Sequence, residues 1–328
     1  ANMISTDTDL PLFPPYEVKS FEGVEVAFIG VILEGAPATT TPLTGVRFED
    51  EATAVNALIP ELQAQGIEAI VVVMHQGGGA QGPANTCLYF GGAAAEIVPL
   101  LDPAVDVVLT GHSHAAYNCD LDGVIVTSAG SSGRLLTDID LRIDRSSGDV
   151  VAAAAENVVV TQDVTPDPAV EALIAGYEAM IAPLAERVIG TITANLTRTT
   201  DNSGESAIGS FVSDAQLAAT ASDAVVAFMN SSGIRADLTF AASGAEQDGE
   251  VTFAEAFAVL PFGNALTTVS LSGQQLHDLL ELQWPDAQVL QTSSSLRYTW
   301  HRNRDEGDRV DPGEVVIDGA ALDLAASY

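Results

Sequence analysis

Three histidines at the ends of two apolar segments are the residues of this sequence best suited to chemistry. His75 directly follows the segment Ile67–Met74, and His112 and His114 follow the segment Val105–Thr110. Imidazole nitrogens bind Zn, Mn or Fe more readily than Ca or Mg. Three histidines this close in sequence, flanked by glycines, are difficult to explain by packing alone. The spacing therefore predicts a metal site at His75, His112 and His114.

The two apolar segments have the pattern of buried strands in an α/β sheet. Val24–Leu33 has the same pattern, whereas Asp50–Gln65 has helical spacing. Ligands bind where the carboxyl ends of the strands in such a sheet meet, so we expect His75 and His112 to be neighbours. Gly111 permits a close backbone approach at the turn between strand and histidine.

The sequence pattern changes after residue 162. Residues 163–188 contain an apolar helical stretch that Pro166 and Pro168 open, and we predict a helical linker there. We assign residues 1–162 to a layered α/β domain and residues 189–328 to a second domain of α/β or α+β class. The second domain has predicted strands at Ala224–Met229 and Leu266–Leu271.

The order of motifs resembles a known family. A strand, His-x-Gly, a second strand and Gly-His-Ser-His resemble the last two metal motifs of the calcineurin-like metallophosphoesterases. The second half resembles the C-terminal domain of bacterial 5'-nucleotidases and 2',3'-cyclic-nucleotide phosphodiesterases. The segments that carry this second resemblance are residues 204–209, 228–238, 260–264 and 271–276.

The resemblance implies a role for individual residues. His75 and His112 would hold one of two divalent metal ions, Zn, Mn or similar, and His114 the other. Asn230 and Arg235 would grip the substrate. Phe262 would stack on its base; without the motif, we would assign Phe262 to core packing beside Pro261. Gly233 and Asn264 belong to the same substrate-binding motifs.

The sequence also departs from the family pattern. The Asp-x-His, Gly-Asp and Gly-Asn-His segments, which supply the other metal ligands and the catalytic histidine, do not precede His75. We therefore expect the chain to be part of a longer enzyme that also contributes an N-terminal segment. Two metal ions would bind poorly to this part alone, and we assign it no catalytic residue. Ser231–Ser232 stands where relatives usually have Gly or Pro.

The net charge of −33, from 45 acidic and 12 basic residues, argues against a nucleic-acid polymer as a partner. Such polymers are bound by basic side chains that displace counterions. A small phosphate-bearing molecule remains possible if metal ions or a few arginines bind it. Because no uninterrupted apolar run reaches about 18 residues, we expect no membrane span.

Cys87 and Cys119 are the only two cysteines. Their polar surroundings favour a disulfide, which would place the protein in an oxidising compartment: secreted, periplasmic or on the cell surface. Two buried thiols are the alternative, and a metal-binding role ranks below both because neither cysteine has a Cys-x-x-Cys partner.

Three functions fit these features. The first is metal-dependent hydrolysis of nucleoside monophosphates. The second is the same chemistry on another phosphoester, such as a 2',3'-cyclic nucleotide, NAD or a sugar nucleotide. The third is a non-catalytic surface protein that retains the fold. The sequence does not define the oligomeric state.

Overall fold

The computed structural model describes residues 1–39, 43–220, 223–283 and 289–328. These residues form two compact units, Ala1–Thr165 and Pro166–Tyr328. The helix that we predicted as a linker belongs to the second unit.

The first unit alternates strands and short helices in its first two thirds and ends in strands. In chain order it contains β1 (Met3–Ser5), β2 (Tyr16–Phe21), β3 (Val24–Ile32), α1 (Ala36–Thr39), β4 (Val46–Phe48), α2 (Glu51–Asn56), α3 (Ile59–Ala64), β5 (Ala69–His75), β6 (Gly79–Gln81), β7 (Leu88–Gly91), α4 (Ala93–Ile97), β8 (Val107–Thr110), β9 (Ala116–Leu121), β10 (Val124–Ala129), β11 (Leu135–Ile143) and β12 (Val150–Val159).

A six-stranded sheet in the order β2-β3-β5-β8-β10-β9 is the centre of this unit. The four inner strands β3, β5, β8 and β10 are parallel, and the two edge strands are antiparallel to their neighbours. Side chains on both faces of the inner strands are buried, which explains why these strands read as continuous apolar runs. The α/β class predicted from the sequence is confirmed.

The stretch Asp50–Gln65, predicted as one helix, forms two. Asp50 caps α2 by accepting a hydrogen bond from the Thr53 N–H, and α2 ends at Asn56. Pro60 then lies in the first turn of α3. Proline has no N–H to donate and its ring clashes with the preceding turn, so it fits a helix start and not a helix interior.

The strands β11 and β12 form a long hairpin whose buried Asn157 ties it to the main sheet. The Asn157 side-chain amide lies 3.0 Å from the Tyr117 and Ser128 carbonyl oxygens, and it accepts a hydrogen bond from the Thr137 hydroxyl.

The predicted disulfide is present and joins Cys87 to Cys119 of β9. The disulfide thereby fixes the loop between β6 and β7 on the sheet.

The second unit is built from short elements around two apolar clusters. In chain order it contains α5 (Pro168–Ala185), β13 (Val188–Thr191), α6 (Ala207–Ala219), β14 (Phe228–Met229), β15 (Glu250–Thr252), α7 (Phe253–Val259), α8 (Gly273–Glu281), β16 (Gln291–Thr292), β17 (Leu296–Arg297), β18 (Val316–Ile317) and β19 (Ala320–Ala321). Hydroxyl side chains of Ser206, Thr252 and Ser272 cap the helices α6, α7 and α8.

Two predicted strands of this unit are mostly unpaired. Of Ala224–Met229 only Phe228 and Met229 pair, with Thr292 and Gln291 of β16. Leu266–Leu271 forms no strand, although Leu271 exchanges backbone hydrogen bonds with Tyr328. Leu266 and Val269 are exposed. Alternating apolar residues predict an extended backbone, but they do not supply the neighbouring strand that a sheet requires.

The helix α5 is long and apolar enough to cross a membrane by length and composition alone, with a mean hydropathy of 1.2. None of its residues is buried within the described structure. Glu171 and Glu178 interrupt its apolar residues, and the expectation that the chain has no membrane span stays a prediction. An apolar helix of this length occurs in soluble proteins as well, so length and composition do not establish a span.

Candidate functional site

His75 and His112 lie side by side at the carboxyl edge of the sheet. Parallel pairing of β5 with β8 places Met74 opposite Thr110, so both strands end at the same level. The two imidazole rings meet edge to face, with 5.3 Å between their centroids. All three histidines of the predicted cluster are exposed to solvent. The edge therefore presents adjacent imidazoles that a ligand can reach.

Glycines allow the two histidine segments to touch. A Cβ at Gly77 would lie 2.2 Å from the Gly111 carbonyl oxygen and 2.4 Å from the Ser113 hydroxyl. That hydroxyl donates a hydrogen bond of 2.6 Å to the Gly78 carbonyl. Any side chain at position 77 would therefore push the Gly-His-Ser-His turn away from β5.

The turn holds two histidines in an unusual backbone conformation. His112 has φ of 64° and His114 has φ of 57°. Residues other than glycine rarely adopt this left-handed region, which costs of order 1 kcal/mol or more for each residue. Strain of this kind persists where the surroundings enforce it, and it is common at functional sites.

The Tyr117 hydroxyl connects the two histidine segments. The Tyr117 side chain is fully buried, and its hydroxyl accepts a hydrogen bond from the Gly78 N–H and lies 2.5 Å from the Thr110 hydroxyl. Phe90 packs against the same ring at 4.9 Å between centroids. Burial raises the pKa of Tyr117, so the phenol stays neutral and keeps its proton for this network.

The electrostatics of the cluster favour a neutral imidazole at His112. Loss of solvent around the ring lowers the pKa of His112, and the neighbouring His75 and His114 lower it further. A neutral imidazole keeps a free lone pair, which is the form that binds a metal ion. The donor set at this edge thus fits a borderline metal such as Zn or Mn in its ligand chemistry.

The three histidines do not by themselves form a closed metal site. Within the described part of the chain, Glu34, Asp50 and Glu51 are the one group whose ligand atoms all lie within 4.8 Å of one another. Glu34 follows β3, whose residue Ile32 pairs with His75, so these carboxylates lie at the same sheet edge. Asp50 and Glu51 are far from Glu34 in the sequence and belong to no motif, so the sequence does not predict this group.

In the second unit, the predicted substrate-binding residues surround one turn. Asn230 precedes the turn Ser231–Gly233, and its amide donates to the Ser232 hydroxyl at 2.8 Å. The Arg235 guanidinium donates to the Ser232 carbonyl at 3.0 Å. A Cβ at Gly233 would lie 2.4 Å from the Met229 methyl and 3.0 Å from the Asn230 side-chain oxygen. Gly233 thus gives Asn230 room over the turn.

Arg235 and Phe262 are brought together by a backbone contact. The Arg235 N–H donates to the Val259 carbonyl at the end of α7, three residues before Phe262. The guanidinium carbon lies 5.9 Å from the Phe262 ring centroid, within the range of a cation–π interaction. Phe262 is 54 % exposed, so core packing does not account for it. Asn264 is also exposed and lies two residues further along.

Known proteins resemble the chain in sequence and in fold. Residues 188–328 match the family model "5'-nucleotidase, C-terminal domain". Over its whole length the chain superposes on a 5'-nucleotidase precursor from Thermus thermophilus with a TM-score of 0.76 and 27 % identity, covering 66 % of that chain. Residues 188–328 therefore match a 5'-nucleotidase C-terminal domain, and the chain as a whole resembles 5'-nucleotidases in sequence and fold.

Two curated relatives align with the entire chain. Endonuclease YhcR of Bacillus subtilis is 30 % identical to this chain, which covers 26 % of the relative's length. Cell wall protein Lmo0130 of Listeria monocytogenes is 32 % identical, and the chain covers 45 % of it. The chain thus spans less than half of either relative.

Proposed function

We propose that this chain is part of a metal-dependent phosphoesterase that hydrolyses nucleotides of the 5'-nucleotidase type. The observation that carries the proposal is the pair of imidazoles at the sheet edge, held by strained and closely packed turns. The match of residues 188–328 to the 5'-nucleotidase C-terminal domain and the similarity to a solved 5'-nucleotidase support the same chemistry.

His75 and His112 would hold one divalent metal ion and His114 a second, with further ligands from other parts of the full protein. Bound divalent metal supplies a water of lowered pKa and neutralises charge on the phosphoryl oxygens. The lowered pKa of His112 favours the neutral imidazole that donates a lone pair to a metal ion, and the glycine contacts fix the position of the histidine segments. Packing of Gly77 against Gly111 thereby positions the ligands.

In the second unit, Arg235 would bind the phosphate or ribose oxygens and Phe262 would stack on the base. The guanidinium provides a charge that few other residues of this acidic protein can provide. An exposed aromatic ring offers a flat surface to any nucleobase. Asn230 and Asn264 would add hydrogen bonds, and Gly233 would allow the turn to approach the substrate.

Phosphate release from AMP by the full-length protein with Mn or Zn tests the proposal. We expect His112→Ala to lower kcat/KM by at least about 100-fold, because losing one ligand weakens both metal binding and water activation. His301→Ala is the matched control, since this histidine lies in the second unit and its imidazole contacts Glu314. Equal rates for wild type and His112→Ala would refute the metal assignment.

A substrate panel distinguishes the nucleotidase from the other functions. The metal site would bind only the phosphoryl group, so it would not discriminate between AMP and a 2',3'-cyclic nucleotide, NAD or a UDP-sugar. Equal kcat/KM for AMP and ribose 5-phosphate would argue against Phe262 as a base platform. Absence of hydrolysis across the panel, with metal present, would favour the non-catalytic surface protein.

We also propose that the protein acts outside the cytoplasm. The disulfide between Cys87 and Cys119 persists in oxidising compartments. The name of the Listeria monocytogenes relative, a cell wall protein, agrees with this location. Labelling free thiols in protein taken directly from the native source checks it: we expect Cys87 and Cys119 to be unlabelled before reduction and labelled after it.

A further inference from the structure

Gln291 is a buried side chain of the second unit that makes five hydrogen bonds, and it belongs to none of the motifs in the sequence. Only 1 % of the residue is exposed. It lies in β16 directly opposite Met229, which immediately precedes Asn230. The side chain is therefore next to the turn that carries the proposed substrate-binding residues.

Both ends of the Gln291 amide are fixed by their partners. Its oxygen accepts hydrogen bonds from the Ser206 N–H at 2.8 Å and the Ser206 hydroxyl at 3.0 Å. Its nitrogen lies 3.0 Å from the Gly204 carbonyl oxygen and 3.2 Å from that of Val289. A backbone N–H can only donate and a carbonyl can only accept, so the amide has one possible orientation.

The same nitrogen reaches the substrate-binding turn. It donates to the Ser231 hydroxyl at 3.2 Å, and that hydroxyl in turn donates to the Val289 carbonyl at 2.8 Å. Ser231 stands where the sequence departs from the family pattern. The departure thus supplies a hydroxyl that connects the turn Ser231–Gly233 to Gln291.

Packing leaves the amide little freedom to move. A Cβ at Gly209 in the first turn of α6 would lie 2.0 Å from the Gln291 side-chain oxygen. A Cβ at Gly204 would lie 2.5 Å from a Val289 methyl group. The start of α6 and the segment around Val289 therefore hold the amide from two sides.

From these contacts we infer that Gln291, together with Ser231, is a positioning residue that fixes the Asn230–Arg235 turn for nucleotide binding. Gln291 does not touch the substrate in this proposal. It acts by holding Ser231, while Arg235 is anchored separately to Ser232 and Val259. The inference rests on the proposed function, because it names the part of the molecule that sets affinity for the nucleotide.

Gln291→Glu is the most specific test, since it keeps the shape of the side chain and the oxygen that accepts hydrogen bonds from Ser206. It places an oxygen in front of the Gly204 and Val289 carbonyl oxygens, where a donor is required. In the full-length protein we expect KM for AMP to rise by about tenfold or more, because small displacements of binding groups are costly. The rate with bis(4-nitrophenyl) phosphate, which presents no base or ribose, should stay near that of wild type.

Ser231 supplies a milder test that does not disturb the core. Ser231→Ala removes the hydroxyl and should raise KM for AMP by about threefold, the effect of one hydrogen bond, with kcat nearly unchanged. Ser231→Thr retains the hydroxyl and should restore KM. A purely structural role would not produce this rescue.

Gln283→Glu is the matched control for Gln291→Glu. Gln283 is also buried in the second unit, and its amide bonds to Leu280, Tyr298 and Leu290 without contacting Ser231. We expect it to lower the Tm and leave KM for AMP unchanged.

If Gln291→Glu and Ser231→Ala both keep the wild-type KM, or lose AMP and aryl phosphodiester turnover in equal proportion, the inference is wrong. A wild-type protein that cleaves the aryl phosphodiester but not AMP would instead refute the proposed function.

Discussion

Contacts between glycine and backbone determine where the histidines point. Three consecutive glycines follow His75-Gln76, yet they are not equivalent. A Cβ at Gly77 would overlap the Gly111 carbonyl, whereas a Cβ at Gly79 would have no heavy atom within 4 Å. The sequence shows a glycine-rich flank, but it does not indicate which of these glycines lies against another part of the chain. The difference arises from a turn that lies more than 30 residues away in the chain.

This difference leads to a paired prediction. Gly77→Ala should destabilise the protein by about 1–3 kcal/mol, the usual cost of overpacking, and should also weaken metal binding by moving His112. Gly79→Ala should change the free energy of unfolding by no more than about 0.5 kcal/mol. Urea unfolding and Mn titration of both variants measure the two effects. Equal losses of stability would show that the close approach at Gly77 does not hold in solution.

At the scale of elements, the sequence was most informative where strands are buried on both faces. Ile67–Met74 and Val105–Thr110 were predicted as strands, and the structure has Ala69–His75 and Val107–Thr110. Their continuous apolar runs follow from helices and the hairpin covering the sheet. The edge at which they end could therefore be predicted from sequence, and with it the meeting of His75 and His112.

The second unit was harder to predict because its elements are short and half-exposed. Residues 266–271 alternate like a strand but remain unpaired, whereas α7 and α8 follow from their capping boxes at Thr252 and Ser272. Gln291 carried no local signal, since its partners Gly204, Ser206 and Ser231 are 60 or more residues away. Long-range polar networks of this kind are visible only in three dimensions.

The amino-terminal edge of the parallel strands, opposite the histidines, contains a titratable group that is part of the fold and not of the candidate site. Asp106 precedes β8, and its carboxylate accepts a hydrogen bond from the Ile70 N–H at 2.8 Å. Burial raises the pKa of Asp106 from 3.8 to about 6, and the nearby Asp149 adds to the rise. Since the folded-state pKa exceeds the unfolded one, this group favours folding most below pH 3.8, and that contribution is lost as the pH rises through 6.

Asp106→Asn should therefore flatten the pH dependence of stability between about pH 4 and pH 7. The amide oxygen can still accept from Ile70, but it does not titrate. Asp140→Asn on the exposed side of β11 removes the same charge without the burial and serves as control. Urea midpoints across this pH range check the prediction. A slope equal to that of wild type would mean that Asp106 titrates alike in the folded and unfolded chain.

At the scale of the whole molecule, charge is the dominant property. The 45 acidic residues exceed the 12 basic ones by 33, and every Lys or Arg ion pair found among the described residues is exposed. Exposed pairs contribute little, with a median of about 0–1 kcal/mol. Repulsion among the remaining carboxylates therefore opposes the compact state, and dissolved salt should relieve it.

Raising NaCl from 0.1 to 1 M shortens the screening length from about 10 to 3 Å, so the Tm at pH 7 should rise. Each kcal/mol of relieved repulsion corresponds to about 2–4 °C for domains of this size. Near the calculated pI of 4.1 the net charge vanishes, and the same salt step should change the Tm far less. Chloride is preferred to sulfate, because sulfate also strengthens apolar burial. A Tm that responds equally at both pH values would show that salt acts by a route other than screening of this acidic surface.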